Sequence, residues 1–176
     1  EPVGVPNEIS LYILSKKIKE NVKVVLYGEG ADEIFEGYGR IFSSVRDFYM
    51  LKKMMANVIS QKMKFAKLSK KYGKIFDSEI EHFLFMYGYW SDFEKDFILL
   101  NDAKKDYSVF FKNDFQGNSF SYNEKISHTF LKLHLPGLLN RLDSSTMANS
   151  VEGRVPFLSP DLVQFSINIP SKLKTK

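Results

Sequence analysis

An apolar run that stops at a glycine constrains this chain more than any other feature. Residues 22–27 (Val-Lys-Val-Val-Leu-Tyr) are nearly all apolar and rich in β-branched side chains, which is typical of a buried strand in a parallel sheet. The Gly-Glu-Gly of residues 28–30 predicts a tight turn, and residues 31–35 predict the start of a helix. Residues 7–21 show helical apolar spacing, with Asn7 as the cap. This order of helix, strand, glycine turn and helix predicts an α/β fold.

The rest of the sequence predicts mainly helices. Residues 43–116 are basic and carry an apolar stripe at helical spacing, which we interpret as core-facing: Val45, Phe48, Leu51, Met55, Val58 and Ile59. A membrane-surface or calmodulin-target helix is the less favoured reading of the same stripe. The further segments predicted are helices over 77–90 and 92–100, a loop over 117–121, a helix over 122–135 broken by Pro136-Gly137, a helix through 147–150 capped by residues 143–145, an extended segment over 155–158 and a last helix that starts at Ser159-Pro160.

Length and composition narrow the possible functions. A chain of 176 residues with 44% hydrophobic side chains and no internal repeat fits one globular domain with its own core. It contains no cysteine, which excludes a disulfide framework, a cysteine-based zinc site and a thiol nucleophile within this chain. The net charge of +4 is interspersed along the sequence, so we expect no nucleic-acid partner.

Targeting signals and chain ends give three further expectations. The uncharged run over residues 83–91 is far too short to cross a bilayer, and no signal peptide is visible. We therefore expect no membrane partner and a cytoplasmic location. The chain opens on Glu1 and stops in a lysine-rich stretch, which leads us to expect a piece of a longer protein.

The glycine turn is the strongest candidate site. A strand end followed by glycines and a helix start offers free backbone N–H groups at the edge where α/β folds bind ligands, an arrangement suited to phosphate. Glu29, Asp32 and Glu33 would repel bare phosphate, unless a divalent cation such as Mg²⁺ bridges Asp32 to it. Glu29, between two glycines, suits a general base or an amine-orienting group. The alternative, equally open, is that the acids only complement the helix dipole and the glycines only turn the chain.

A second constellation lies over residues 138–158. It holds Arg141, Asp143, Glu152 and Arg154 among small residues, and a pair of structural ion pairs beside a helix cap is the favoured interpretation over a ligand site. The three histidines, at 82, 128 and 134, show no metal-ligand spacing, and we interpret them as structural.

Three segments together resemble the asparagine synthetase family. The segment VVLYGEGADEIFEGY (24–38) resembles its signature, a strand that runs into Ser-Gly-Glu-Gly-Ala/Ser-Asp-Glu-Leu-Phe-Gly-Gly-Tyr. The segment LPGLLNRLDSSTMANSVEGRVPFLSPDLVQF (135–165) resembles the later block, Asp-x-x-Ser/Thr-Met-Ala followed by Glu-x-Arg-x-Pro-Phe-Leu. Residues 1–16 resemble the segment that precedes the signature. About half of the chain is covered, in the family's order.

The resemblance implies a fold and an activity. It implies part of a synthetase domain of the adenine-nucleotide alpha-hydrolase-like (ATP pyrophosphatase) group, here helix-dominated α/β with one or two parallel strands. In the family, this domain adenylates the side-chain carboxylate of aspartate with Mg-ATP, and ammonia from a cysteine-dependent glutaminase domain displaces AMP. The pyrophosphatase loop, Ser-Gly-Gly-x-Asp-Ser, does not occur in residues 1–176. We therefore expect a partial synthetase domain that is inactive on its own.

The same resemblance assigns roles by position. Tyr27 and Gly28 fall where the chain contacts the adenylate, although Tyr27 replaces the usual serine. Glu29 matches the glutamate that handles the incoming ammonia, and Asp32 matches a ligand of magnesium and pyrophosphate. Ser144 falls where the family places a Lys or Arg that stabilises phosphate charge, a task that a serine cannot perform.

The expected partners and the rival functions follow from this assignment. The partners are ATP, Mg²⁺, aspartate or another carboxylate, ammonia from glutamine and the rest of the parent chain with its glutaminase domain, with a homodimer left open. One rival function is a related amidotransferase that acts on a sugar acid or a peptide carboxylate. The other is a non-catalytic helical interaction domain.

Overall fold

The structure, a computed structural model, describes residues 6–56, 68, 70–88, 108–116 and 119–174. In chain order, its elements are α1 (Asn7–Ile18), β1 (Val24–Leu26), α2 (Ala31–Phe35), α3 (Gly39–Ala56), α4 (Glu79–Tyr87), α5 (Ser108–Phe115), α6 (Tyr122–Thr129), a π-helical turn (Phe130–His134), α7 (Leu135–Met147), β2 (Glu152–Arg154), a 3-10 turn (Pro156–Leu158), α8 (Pro160–Asn168) and α9 (Ser171–Lys174). No helix in these ranges has both the length and the apolarity to cross a membrane.

The described chain forms two compact units. The first unit comprises described residues of 1–37 and 129–174, and the second comprises those of 38–128. Helices dominate both units, and the sheet, which has two parallel strands, lies in the first. The helix-dominated α/β fold with one or two parallel strands is therefore confirmed.

The sheet in the first unit pairs β1 with β2. The register sets Val25 opposite Gly153 in a parallel ladder. The sequence predicted the first strand, but not the second, because the Glu-Gly-Arg of β2 has neither apolar nor β-branched side chains. The predicted burial of the first strand is wrong for this structure. Val24 and Leu26 are 41% and 68% exposed, since in the described part of the chain β1 pairs with a strand on one edge only and α7 packs against β2.

Helices α1 and α7 pack through small polar side chains. Ser15 is fully buried, and its hydroxyl donates to the carbonyl oxygen of Ser145 at 3.1 Å. Asn149 Nδ2 donates to Ser15 Oγ at 3.0 Å, so the contact has satisfied hydrogen bonds as well as close approach. Several apolar side chains of α1 are exposed, and Ile9 and Ile13 are each about half exposed.

Helix α1 begins at the first residue of the predicted range 7–21 and ends three residues early, at Ile18, but the predicted cap is wrong. Pro6 occupies the cap position, no side chain caps the helix, and Asn7 is its first residue. The Asn7 side chain instead accepts a hydrogen bond from Arg141 of α7. The cap was predicted wrongly because Asn is a good cap in isolation, whereas here a tertiary partner uses its amide oxygen.

The helix predicted to break at Pro136-Gly137 continues. In the π-helical turn, the Leu135 N–H donates to the Phe130 carbonyl oxygen, five residues earlier. This turn ends at His134, two residues before Pro136, which lies in the first turn of α7, a position that tolerates proline. Residues 143–145 consequently lie inside α7 and cap no later helix, and α7 ends at Met147.

The last elements agree in part with the sequence. Residues 156–158, predicted as extended, form a 3-10 turn. Helix α8 begins at Pro160, as predicted, and continues to Asn168.

The glycine turn packs on this 3-10 turn. Gly30 has φ of +93°, and a Cβ atom there would overlap the side chain of Leu158. Position 30 therefore requires glycine for two reasons, backbone conformation and close approach.

The second unit is organised around buried aromatic rings and His82. The His82 ring is 1% exposed and stacks on Phe48 with ring centroids 5.1 Å apart. Its Nδ1 lies 2.7 Å from the hydroxyl oxygen of Tyr122, also buried. Val45, Phe48 and Leu51 of the predicted stripe are buried, whereas Met55 is 45% exposed.

One other helix predicted in the middle of the chain is observed, and other predicted features lie outside the described residues. The helix predicted over 77–90 is observed as α4, capped by Ser78, whose side chain accepts the Glu81 N–H. Val58, Ile59 and the helix predicted over 92–100 lie outside the described residues.

The neutral state of His82 predicts a pH-dependent stability. Burial lowers the pKa of His82 from 6.5 to about 4, and the nearby Asp47 opposes this only partly. The unfolded chain therefore binds more protons between these values, so this contribution is complete above pH 6.5 and is lost as pH falls towards 4. We expect the His82 contribution to unfolding free energy to fall by about 2 kcal/mol between pH 7.5 and 4.5. Urea denaturation at the two pH values measures it.

A double variant isolates this effect. His82→Phe with Tyr122→Phe removes the titrating ring without leaving the Tyr122 hydroxyl unpartnered, and should flatten the pH dependence by that amount. His128→Gln, at an exposed histidine, serves as the control. An unchanged pH dependence in the double variant would contradict the assignment.

Gly30→Ala should destabilise the first unit. The side chain would meet Leu158 and would occupy a left-handed backbone conformation, with a combined cost of about 2 kcal/mol. Gly28→Ala is the matched control, because a Cβ there meets nothing within 4 Å. Thermal unfolding compares the two. Equal midpoints for both variants would show that the close packing on Leu158 is unimportant.

Candidate functional site

The turn after β1 brings together four of the five predicted site residues. Tyr27 extends the sheet, since its N–H donates to the Arg154 carbonyl oxygen at 2.8 Å. The turn then closes by a bond from the Ala31 N–H to the Gly28 carbonyl oxygen at 3.3 Å. Tyr27, Gly28, Glu29 and Asp32 thus lie at the carboxyl end of a parallel strand, where ligands of α/β folds bind.

The side chain of Tyr27 turns toward the protein. Its ring lies over Gly153, where an added Cβ would come within 3.4 Å of two ring carbons. The hydroxyl is buried without a hydrogen-bond partner in the described part of the chain. Burial raises the pKa of this hydroxyl, so it stays protonated. Tyr27 can therefore offer a ligand its main chain more readily than its hydroxyl.

Glu29 forms an ion pair with Arg141 of α7. Arg141 Nη2 lies 2.9 Å from Glu29 Oε1, and the side chains are 13% and 24% exposed. Arg141 Nη1 donates to Asn7 Oδ1 at 3.2 Å. The sequence placed Arg141 in the second constellation but did not pair it with the turn. Its only signal was the scarcity of arginine, four in the whole chain.

The other ion pair of that constellation is exposed. Arg154 Nε lies 2.7 Å from Glu152 Oε1, with side chains 62% and 54% exposed, and such a pair stabilises little. The expectation of two structural ion pairs within residues 138–158 is therefore half right, because Arg141 is paired with Glu29 of the turn.

Asp32 is the available carboxylate of the turn. It is exposed, and its side chain lies against Gly37, where a Cβ atom would overlap it. The described residues contain no group of three or more acidic or histidine side chains able to hold a metal. Asp32 is the carboxylate of the turn that could hold a magnesium ion, since Mg²⁺ commonly takes only one or two carboxylates from a protein.

Ser144 lies apart from the turn residues in its contacts. It is exposed on α7, three residues after Arg141, and no hydrogen bond joins its side chain to the other four predicted residues in the described structure. It supplies a hydroxyl but no positive charge.

His134 lies in the electrostatic environment of the Glu29–Arg141 pair. Burial lowers its pKa, Glu33 and Glu29 oppose that shift, and Arg141 reinforces it. The His134 ring is therefore neutral near pH 7, and among the described residues the Arg141 guanidinium is the cation paired with Glu29. The sequence interpretation of His134 as structural did not identify this proximity.

Glu36 departs from the resembled signature and has an unfavourable backbone conformation. It stands where that signature has glycine, and its φ is +59°, a region that penalises side chains. The carboxylate is buried, accepts the Ser171 hydroxyl at 2.6 Å and lies 3.9 Å from Lys174 Nζ. These contacts with α9 offset the backbone cost.

Comparison with known proteins gives a consistent set of relatives. The family model described as asparagine synthase matches residues 1–176. Asparagine synthetase 1 (glutamine-hydrolyzing) of Bacillus subtilis strain 168 is 30% identical over 197 aligned positions, which cover 100% of this chain and 29% of the relative. The putative glutamine-hydrolyzing asparagine synthetase of Mycobacterium bovis is 29% identical and covers 99% of this chain, but 28% of the relative.

These matches cover nearly all of this chain but only a small part of each relative. The chain spans less than a third of the length of these curated relatives, and no solved structure matches it significantly. The family model nevertheless covers every residue, including the middle segment that the motifs did not identify. The chain therefore belongs to the asparagine synthase family.

Proposed function

We propose that this chain supplies part of the site at which an asparagine synthetase uses ATP to convert a carboxylate into an amide. The observation that carries the proposal is the Glu29 carboxylate, held by Arg141 in the glycine turn at the carboxyl end of β1. Membership of the family supports amide synthesis in general. The relatives' description as glutamine-hydrolyzing supports glutamine as the source of ammonia. The ATP pyrophosphatase fold of the synthetase domain is part of this proposal.

The proposed reaction has two steps. An acceptor carboxylate oxygen attacks the α-phosphorus of ATP, pyrophosphate leaves and an acyl-adenylate forms. Ammonia then attacks the acyl carbon, the new C–N bond forms and the C–O bond to AMP breaks. The surplus proton on nitrogen passes to the Glu29 carboxylate, a general-base role. Arg141 holds Oε1 of that carboxylate, and no described residue hydrogen-bonds its other oxygen.

The remaining turn residues have roles compatible with their surroundings. Gly28 is exposed, and nothing lies within 4 Å of its Cβ position, so a ligand can approach the main chain of Tyr27 and Gly28 closely. Asp32 would hold Mg²⁺, which neutralises phosphate charge when bound.

Ser144 favours a second candidate for the acceptor. The resembled family has a cation at this position, whereas the exposed Ser144 hydroxyl supplies none. Adenylation of a sugar acid or a peptide carboxylate, with the phosphate charge met by another group, is therefore the alternative to aspartate.

An assay of the natural protein that carries this chain tests the proposal. With ATP, Mg²⁺, glutamine and aspartate, we expect AMP and asparagine to form in equal amounts, which chromatography measures. AMP formed only with a uronic acid would support the second candidate, and ADP or no nucleotide product would contradict both. The 176-residue chain alone should form no AMP, because its sequence lacks the pyrophosphatase loop.

Asp32→Asn should lower the turnover of that protein by orders of magnitude and raise the Mg²⁺ concentration needed for half-maximal rate. Asp161→Asn is the matched control, because Asp161 is also exposed and is also the second residue of its helix. Steady-state rates over a magnesium titration measure both variants. Unchanged turnover in Asp32→Asn would support an interaction domain without catalysis, and equal losses in both variants would indicate a general effect of helix charge.

A further inference from the structure

We infer that Arg141 is the positioning residue for Glu29, which fixes the carboxylate in the orientation that accepts the proton of the incoming amine. The inference rests on the proposed function, because it assigns the proton to Glu29. Arg141 itself need not touch the substrate. Its role is to hold one carboxylate oxygen so that the other remains available.

The position of Glu29 in the chain makes such a residue necessary. Glu29 is flanked by Gly28 and Gly30, and the surroundings of Gly28 are open. Neither glycine has a side chain that could pack against the Glu29 carboxylate, so the turn alone defines the position of that carboxylate poorly. A general base that moves by 1 Å can lose about 100-fold in rate.

Arg141 restrains Glu29 from a rigid element. It belongs to α7, which is held to α1 by the buried Ser15 and Ser145 contact. Its Nη2 donates to Glu29 Oε1 at 2.9 Å, while its Nη1 donates to Asn7 Oδ1 at 3.2 Å. The guanidinium is thus held on the other side by the first residue of α1, so its orientation is set before substrate binds.

The charges around the pair assign this restraint to Arg141. The charged groups that shift the pKa of the half-buried His134 ring are the acidic Glu33 and Glu29 and the basic Arg141. Burial keeps His134 neutral near pH 7 by lowering its pKa. Among described residues, no other cationic nitrogen is paired with Glu29.

The geometry requires arginine specifically. Two different nitrogens of one planar group bond Glu29 and Asn7, whereas a lysine has a single nitrogen on a flexible stem. We therefore expect Arg141→Lys to retain charge but to position Glu29 incompletely.

Separate assays of the two half-reactions test this inference in the natural protein that carries the chain. Arg141→Gln should leave the ATP–pyrophosphate exchange rate and the KM for ATP within about 3-fold of wild type. It should lower kcat for amide formation with ammonium by about 10–100-fold. Arg141→Lys should lie between these values, and it carries the test if Arg141→Gln does not fold.

A double-variant cycle and a matched control separate positioning from stability. In a Glu29→Gln background, Arg141→Gln should lower amide formation by less than about 3-fold, because its effect acts through Glu29. Lys125→Gln is the control, since the Lys125–Glu79 pair in the second unit has nearly the same length, 2.8 Å, and exposure, 14% and 26%. It should leave the ratio of the two half-reaction rates unchanged.

The possible failures are distinguishable. Equal losses in exchange and amide formation, or additive effects of the two substitutions, would overturn the positioning role while leaving the proposed function intact. A wild-type protein that forms no AMP would overturn the proposed function, and the role of Arg141 with it.

Discussion

The ion pair between Glu29 and Arg141 is the interaction on which the candidate site depends. It joins residues 112 positions apart, and Arg141 also reaches Asn7, 134 positions away. Three segments that are remote in sequence therefore meet at one guanidinium group. Because the pair is largely shielded from solvent, breaking it would leave a partly buried charge unmet, a much larger cost than at an exposed pair.

The packing of the first unit places these segments for that contact. Small side chains allow α1 to approach α7 at Ser15 and Ser145, and Gly30 allows the turn to approach Leu158. Both contacts rely on the absence of bulk, which makes the geometry sensitive to single added carbons. Glu36 joins the end of α2 to α9 by polar contacts instead, a hydrogen bond from the Ser171 hydroxyl and an ion pair with Lys174.

In the second unit, apolar periodicity predicted part of the core but not the residue at its centre. The apolar stripe of α3 was predicted correctly at Val45, Phe48 and Leu51, because a 3.6-residue period directly reports a buried face. That a histidine would lie at the centre of the aromatic core was not predictable in detail. Its neutrality follows from burial, which lowers its pKa and which is not a local property of the sequence.

Some elements could be predicted from neighbouring residues alone, whereas others depend on contacts that the sequence does not reveal. By itself, the sequence determined the first strand, the glycine turn, the start of α8 and the family, because apolar periodicity, glycine and proline act through neighbouring residues. Only the tertiary structure decided that the polar residues 152–154 form a strand, that the helix continues past Pro136, and that Arg141 pairs with Glu29 instead of its sequence neighbours. The strand and the ion pair each depend on a partner distant in the chain, which packing sets, whereas the helix continues through the bond from the Leu135 N–H to the Phe130 carbonyl oxygen.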